Sequence, residues 1–216
     1  MDTLDLCANN RIPQAVIERL PLYFRYLTKL QREGFDIISS HELGKKMGLR
    51  SSQIRKDFAL FGEFGVRGMG YNTEVLLSMV KRLLGLEKRW NMAFLGICDL
   101  AIALSQYEAL TEHGFCAVAF FDDEPSMVGK KINGIIVREL SSLPEVAREL
   151  DIKMGVITLP ASKVQKGADL LVAAGVKGIW NFTQEKISVP FDVEVCNEDL
   201  TIRPLTLSYF LSRENL

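Results

Sequence analysis

The sequence has few cysteines and histidines and lacks the long apolar runs of membrane proteins. Its 216 residues include four cysteines and two histidines, with no CxxC pair and no Cys/His cluster. This usage argues against a disulfide framework or a zinc site, so we expect no metal. No apolar run approaches the ~18 residues of a membrane span, and the start MDTLDLCANN lacks the basic and apolar regions of a signal peptide. We therefore expect a cytoplasmic protein that does not engage a membrane.

The charge of the chain is uneven along its length. Residues 1–90 hold 15 Lys and Arg against 10 Asp and Glu, a balance of +5, whereas residues 91–216 hold 11 against 17, a balance of −6. This division predicts two domains, the first facing a polyanion such as nucleic acid. The alternative interpretation of this charge excess is chance, because +5 over ninety residues is modest. For the basic helices described below, the alternative is an ordinary helical bundle with a solvated basic face.

The two halves also differ in the rhythm of their apolar residues. The first half shows helical spacing, and its stretch GEFGVRGMGYN suits a small β-hairpin. After Trp90, short apolar runs alternate with helical stretches, which predicts a parallel sheet covered on both faces. We therefore expect an α/β protein with a winged-helix domain over residues 1–88, a Rossmann domain over residues 89–199 and a C-terminal helix over residues 200–216.

A helix-turn-helix followed by the glycine-rich hairpin is predicted in the basic half. Helices over residues 40–47 and 51–60 would form it, and the second helix of such a motif enters the major groove of DNA. Serines and free N–H groups at its start suit a phosphate, whereas Gln, Arg and Lys have the reach and the donors to bind base edges. An arginine at the hairpin tip suits a minor groove or a phosphate. The candidate DNA-binding residues are Ser51, Ser52, Gln53, Arg55, Lys56, Arg67 and Tyr71.

The same helix has a predicted inner face. Ile54 and Phe58 are four residues apart and should point to the core. Asp57 lies between the two faces, and we expect it to orient Arg55 or Lys56.

A modified dinucleotide-binding turn follows the first strand of the acidic half. A G-x-G-x-x-G turn is expected there, and Gly96 can make its tight bend. Cys98 instead adds a side chain where phosphates approach the backbone, and Asp99 adds a negative charge at the start of a helix. Asp122 ends the next strand, where an acid holds a ribose hydroxyl and favours NAD over NADP. These residues suit either an NAD(H) site or a Rossmann domain that has lost its ligand; the turn comprises Gly96, Ile97, Cys98, Asp99, Leu100 and Ala101.

No catalytic arrangement accompanies this turn. His41 lies in the predicted DNA-binding domain, and His113 lies between a helix and a strand, so no acid or base stands beside a nicotinamide. We expect a protein that is not an enzyme. The alternatives are an NAD-dependent oxidoreductase and a DNA-binding dimer that does not respond to ligand.

The order of winged helix, Rossmann domain and C-terminal helix resembles the Rex family of redox-sensing transcriptional repressors. The matching segments include ISSHELGKKMGLRSSQIRKDFALFGEFGVRGMGYN, FDDEPSMVGKKI and GVKGIWNF, and the resemblance covers nearly the whole chain from Ile12. It implies a homodimer that exchanges its last helix and binds a palindromic operator in double-stranded DNA. It also implies that NADH releases the DNA and that NAD⁺ permits binding.

The resemblance assigns roles to particular residues. It places the cofactor phosphates on residues 96–101, the adenosine ribose at Asp122, and the nicotinamide near Tyr107, Pro160 and Phe182. It also implies that Arg19 approaches Asp199 of the partner subunit, a charge contact sensitive to domain closure.

The sequence departs from the family pattern in three places. Cys98, Asp99 and Ala101 replace fixed positions of G-x-G-N-x-G, and residues 181–184 read Asn-Phe-Thr-Gln instead of Asn-Phe-Ala-Pro. These two departures predict a weakened or absent response to NADH. Pro204 lies within the last helix, so we expect that helix to begin with Pro204 in its first turn.

Overall fold

A computed structural model describes residues 12–62, 64–66 and 69–213. The chain divides into two compact units between Glu87 and Lys88. Over the ranges described, no helix is long and apolar enough to cross a membrane.

The first unit is mainly helical. Pro21 stands in the first turn of its longest helix, where a missing N–H costs no hydrogen bond. That helix packs against the last helix of the unit, and Tyr23, Leu27 and Leu76 are among the fully buried side chains of the shared core. Among the residues described, the helices are Gln14–Ile17 (α1), Leu20–Arg32 (α2), Ser40–Met47 (α3), Ser51–Ala59 (α4) and Thr73–Leu83 (α5).

A small antiparallel sheet completes the first unit. Its strands are Ile37–Ile38 (β1), Gly65–Val66 (β2) and Gly70–Asn72 (β3), in the order β1-β3-β2. The hairpin of β2 and β3 confirms the predicted wing, whereas β1 was not predicted. Gly70 has φ +102°, and a Cβ there would lie 2.6 Å from the carbonyl oxygen of Ile38, so β1 can pair with β3 only if this position is glycine.

A seven-stranded sheet forms the centre of the second unit. Every described pairing is parallel except that of the short edge strand β6 with β7, which confirms the predicted parallel sheet. In chain order, the strands are Trp90–Leu95 (β4), Phe115–Asp122 (β5), Lys131–Ile132 (β6), Ile135–Glu139 (β7), Ile152–Ile157 (β8), Gly178–Asn181 (β9) and Glu194–Asn197 (β10). Across the sheet they lie in the order β10-β9-β8-β4-β5-β7-β6.

Both faces of this sheet are covered. Met92 and Phe94 of β4 belong to one apolar cluster, and the alternate residues Ala93 and Leu95 belong to another, because successive side chains of a strand point to opposite faces. The helices described in this unit are Asp99–Ser105 (α6), Glu108–Glu112 (α7), Leu143–Glu149 (α8), Val164–Ala173 (α9) and Ile202–Ser212 (α10), with short 3₁₀ turns at Leu140–Ser142 and Ala161–Lys163.

The last helix, α10, makes no contribution to the core of its own chain. Pro204 is its third residue and lies in its first turn, as predicted. Every residue from Leu200 to Arg213 is exposed in the single chain. Large apolar side chains make up much of this surface, namely Leu200, Ile202, Leu205, Leu207, Tyr209, Phe210 and Leu211.

Candidate DNA-binding and nucleotide-binding sites

The helix-turn-helix of the first unit depends on a close approach between α3 and the turn that follows it. A Cβ at Gly44 would lie 2.5 Å from the carbonyl oxygen of Leu49, so a larger residue would push the turn open. Gly48 ends α3 in the left-handed conformation, with φ +69°. These glycines fix where α4 begins relative to α3.

The start of α4 presents a polar, basic surface. Ser52, Arg55 and Lys56 are exposed, and Ser51 is half-buried. Arg50 precedes the helix and makes no side-chain capping hydrogen bond, so the first N–H groups of α4 can donate to a phosphate. The placement therefore suits contact with a DNA backbone and base edges.

The opposite face of α4 is anchored in the core. Ile54 is 0% and Phe58 is 1% exposed, which confirms the predicted inner face. On the outer face, Nη1 of Arg55 donates to Oγ of Ser40 at 3.0 Å, so this guanidinium is positioned by α3.

A buried carboxylate links α4 to the first helices of the unit. Asp57 is 1% exposed, and its oxygens accept hydrogen bonds from Nε and Nη2 of Arg19 at 2.7 and 2.9 Å. The hydroxyl of Tyr23 and the amide nitrogen of Gln53 also donate to it, each at 2.7 Å. Burial by itself would raise the pKa of Asp57, but these hydrogen bonds outweigh it and the pKa is lowered. We call Arg19, Tyr23, Gln53 and Asp57 the Asp57 cluster.

The Asp57 cluster changes two sequence-based expectations. The expectation that Asp57 orients Arg55 or Lys56 is wrong, because its oxygens are engaged by three other side chains. Gln53 was assigned to base edges, but its amide nitrogen is directed inward to Asp57. A base-reading role for Gln53 stays a prediction, and while the bond to Asp57 holds, the second N–H and the carbonyl oxygen of the amide are left for it.

Arg19 and Asp199, which are predicted to contact each other between subunits, each have hydrogen-bond partners within their own chain. Two donors of the Arg19 guanidinium, Nε and Nη2, are bound by Asp57 of the same domain. Oδ1 of Asp199 accepts from the backbone N–H and the hydroxyl of Thr201, at 2.8 and 2.6 Å, and these bonds lower its pKa. A contact between Arg19 and Asp199 of the partner subunit stays a prediction, and it would use the N–H groups of Arg19 that Asp57 does not bind.

The two wing candidates for DNA binding differ in what the structure describes of them. Tyr71, assigned to DNA binding, is 9% exposed, and its ring packs edge-on against Phe58 with centroids 5.2 Å apart. The ring therefore packs in the core, and burial raises the pKa of the Tyr71 hydroxyl. A contact of Tyr71 with DNA stays a prediction. Arg67, the other wing candidate, lies outside the described residues.

The turn after β4 in the second unit can hold only glycine at its first position. Gly96 has φ +88°, and a Cβ there would lie 2.7 Å from the backbone nitrogen of Leu159. The hydroxyl of Thr158 donates to the carbonyl oxygen of Gly96 at 2.6 Å, a contact that the sequence did not predict. The tight bend predicted at Gly96 is confirmed.

The rest of the turn is more open to solvent. Cys98 precedes α6 and Asp99 begins it, and both are exposed. Ile97 and Leu100 are half-buried, whereas Ala101 is fully buried, as close packing of helix and strand requires. The residues predicted to crowd or repel a phosphate therefore do face outward.

Asp122 is held rigidly beside this turn. It is 8% exposed; Oδ2 accepts from the N–H of Ile97 at 2.7 Å and Oδ1 from the N–H of Glu124 at 2.9 Å. A carboxylate has about four lone-pair sites, so two remain for a ribose hydroxyl. The bend at Gly96 and the oriented carboxylate of Asp122 fit the dinucleotide that the turn predicts. The side chain of Cys98 narrows the space through which the phosphates would approach the backbone.

Two clefts lie at the carboxyl ends of the strands, which is where open α/β sheets bind ligands. The β5-side cleft, about 510 Å³, is lined by Asp123, Pro125, Val128, Glu139, Leu140, Ser141 and Lys166. The β8-side cleft, about 320 Å³, is lined by Cys98, Leu100, Thr158, Leu159, Ala161, Phe182, Thr183, Gln184 and Glu185.

The predicted nicotinamide residues are only partly brought together by these clefts. Phe182 lines the β8-side cleft beside Cys98, and Pro160 precedes its lining residue Ala161. Tyr107 is 60% exposed at the start of α7 and does not line it. Within the residues described, no group of three or more His, Cys, Asp or Glu is placed to hold a metal ion.

A winged helix with an exposed basic recognition helix, joined to a Rossmann domain of the dinucleotide type, defines a DNA-binding regulator. Residues 11–59 match a family model described as "Putative DNA-binding protein N-terminus", and residues 87–185 match one described as "CoA binding domain". The chain is 42% identical to the redox-sensing transcriptional repressor Rex of Syntrophobacter fumaroxidans, covering 94% of this chain and 97% of that protein. It is 43% identical to Rex of Carboxydothermus hydrogenoformans, with 94% and 98% covered.

Solved structures agree with this relationship. A structure of RSP with beta-NAD⁺ and operator DNA superimposes with a TM-score of 0.89 at 38% identity, covering 96% of this chain and 95% of that one. RSP with beta-NADH gives 0.85 at 36% identity, covering 96% and 97%. The chain belongs to the Rex family of redox-sensing transcriptional repressors, which confirms the resemblance and the two-domain α/β fold. It is accordingly a regulator and not an enzyme.

Proposed function

We propose that the chain acts as a homodimeric repressor that binds a palindromic operator in double-stranded DNA and responds to the ratio of NADH to NAD⁺. The observation that carries the DNA-binding part is the start of α4, where Ser52, Arg55 and Lys56 are exposed while Ile54 and Phe58 anchor the helix. The relatives are repressors, and RSP has been solved with operator DNA and with each nicotinamide dinucleotide. Because a repressor acts on the chromosome, we place the chain in the cytoplasm.

Helix α10 supports the homodimer. Leu205 and Phe210 are 66% and 58% exposed, and apolar residues lie on all sides of the helix. A helix that is apolar all round is stable only when other chain segments surround it, and exchange of this helix between two copies would cover both equally. Two winged helices related by a twofold axis would then meet half-sites about one helical turn, roughly 34 Å, or a multiple of it apart.

The Rossmann domain supplies the ligand site. In the proposed complex, the turn that begins at Gly96 would hold the pyrophosphate, Asp122 would accept a hydrogen bond from a ribose hydroxyl, and Phe182 would line the nicotinamide side. The dinucleotide supplies a nicotinamide ring whose charge differs between the oxidised and reduced forms. A ligand can release DNA only if it binds the two dimer arrangements with different affinity.

Operator binding tests the proposal directly. The operator duplex bound by RSP and a scrambled duplex of the same composition are titrated with the protein by fluorescence anisotropy, with NAD⁺, with NADH or with neither. We expect preference for the operator, a steep salt dependence, and release by NADH. Equal binding of both duplexes would contradict specific recognition.

A dimer that does not respond to dinucleotide is the second candidate. It is favoured by the exposed side chains of Cys98 and Asp99 at the phosphate turn. In that case, the titration would give specific operator binding that neither NAD⁺ nor NADH alters.

A further inference from the structure

An ion pair connects two loops at the carboxyl ends of the parallel strands. Nζ of Lys163 lies 2.9 Å from Oδ1 of Asp123, and the two side chains are 37% and 31% exposed. Asp123 directly follows β5, and Lys163 lies in the loop after β8. In the sheet order β4 lies between these strands, so the pair joins the loops on either side of the phosphate turn.

The pair belongs to a larger charge arrangement beside the β5-side cleft, which Asp123 and Lys166 line. Three consecutive acids lie at the end of β5 and just after it, namely Asp122, Asp123 and Glu124. Two lysines of the segment after β8, Lys163 and Lys166, interact electrostatically with these acids. Asp122 cannot turn to Lys163 without giving up the backbone N–H groups that orient it. Asp123 is therefore the carboxylate that directly binds Lys163.

A cation beside the ribose-binding acid has a known chemical use. Dinucleotide sites that accept a phosphate on the adenosine ribose place a basic side chain near the end of the second strand, whereas sites for an unmodified ribose place an acid there. This chain has both: Asp122 is the ribose acid, and Lys163 is a suitably placed cation that Asp123 already binds.

We propose, on the basis of the NAD(H) site above, that Asp123 is a specificity-determining residue. Its carboxylate binds Lys163 in the place that a 2′-phosphate would take, and dinucleotides with a 2′-phosphate are thereby excluded. With Asp123 in place, a phosphate at the ribose meets the charges of Asp122 and Asp123, and Lys163 is already paired. Removal of the Asp123 charge frees Lys163 to bind that phosphate together with Lys166. The chain thus has a latent NADP(H) site.

The test compares the affinities of the whole two-domain chain for NADH and NADPH by fluorescence titration. For Asp123→Asn we expect the affinity for NADPH to rise at least tenfold relative to that for NADH. Adding Lys163→Gln to this variant should abolish the gain. Asp192→Asn is the matched control, because it removes the same charge from another ion pair, that of Asp192 with Lys177. These two residues precede β10 and β9, at the amino ends of the strands and therefore at the edge of the sheet opposite to the ligand site. The ratio of NADPH affinity to NADH affinity should be unchanged in this control.

The outcomes separate this inference from the proposed function. If the wild-type protein binds NADH and releases the operator, but Asp123→Asn leaves the ratio of NADPH affinity to NADH affinity unchanged, the role of Asp123 is overturned and the proposed function is not. Retention of the gain after Lys163→Gln would also overturn it. Failure of every form to bind either dinucleotide would overturn both proposals. If Asp123→Asn does not fold, as judged by its melting curve, Asp123→Ser and single Lys163→Gln replace it, with NADPH affinity expected to rise in the first and fall in the second.

Discussion

The Asp57 cluster should contribute a large part of the stability of the first unit. Asp57→Asn keeps the size of the side chain but removes its charge, and its amide group would direct donors at the guanidinium of Arg19. Breaking a buried ion pair by removing one partner costs about 3–5 kcal/mol. Because the Arg19 side chain is 20% exposed and keeps some hydration, we expect roughly 2–4 kcal/mol here.

That loss is measurable by thermal and urea unfolding. A change of about 1 kcal/mol shifts the melting temperature by roughly 4–8 °C in a domain of this size, so a shift of at least about 8 °C is expected. Asp36→Asn, an exposed acid in the same unit, should change it little. Operator affinity should fall in Asp57→Asn, because α4 loses its attachment to Arg19 and Tyr23.

The pH dependence distinguishes the charge from simple packing. The pKa of Asp57 is lowered in the folded state, so its stabilisation is complete above the unfolded value, about 3.9, and is lost as the pH falls through the folded pKa. The difference in stability between wild type and Asp57→Asn should therefore shrink below about pH 4. A difference that stayed constant from pH 7 to pH 3, or the absence of any difference at pH 7, would refute this reasoning.

Three further changes test the two sites. Gly96→Ala should destabilise the second unit by roughly 1–3 kcal/mol and abolish NADH binding, since its Cβ would meet the backbone of Leu159; unchanged melting would contradict this steric clash. Cys98→Gly combined with Asp99→Asn should raise NADH affinity at least several-fold in calorimetry, and equal affinity would show that these side chains do not hinder the phosphates. Lys56→Ala should weaken binding to operator and scrambled duplexes alike and reduce the salt slope by about one, whereas an effect on the operator alone would indicate base contact.

Sequence patterns predicted those features that depend on neighbouring residues. The run FCAVAFFD is the strand Phe115–Asp122, because aromatic and small apolar residues without Gly or Pro suit a buried strand. The spacing of Ile54 and Phe58 predicted the inner face of α4, and the glycines predicted the wing. The pattern of LAIALSQYEALTEHG is typical of one continuous helix, but the structure has two, α6 and α7, separated at Gln106–Tyr107.

Features that depend on contacts between distant residues were not predicted. Arg19 and Asp57 are 38 residues apart, and their ion pair follows from how the first helices pack against α4. Local spacing therefore gave Asp57 the wrong partners. Similarly, Lys163 meets Asp123 across 40 residues, because parallel strands bring the loops at their carboxyl ends to one edge of the sheet.

The anchoring of α4 limits how a ligand in the second unit can control DNA binding. Disordering this helix would break the Asp57 cluster and expose Ile54 and Phe58, which would cost several kcal/mol. Allosteric coupling energies are typically about 1–3 kcal/mol, and a ligand can shift an equilibrium only by its differential affinity for the two states. Movement of a whole winged-helix domain costs none of these contacts. Control is therefore expected to act on the spacing and orientation of two rigid recognition helices, and a palindromic operator is sensitive to both.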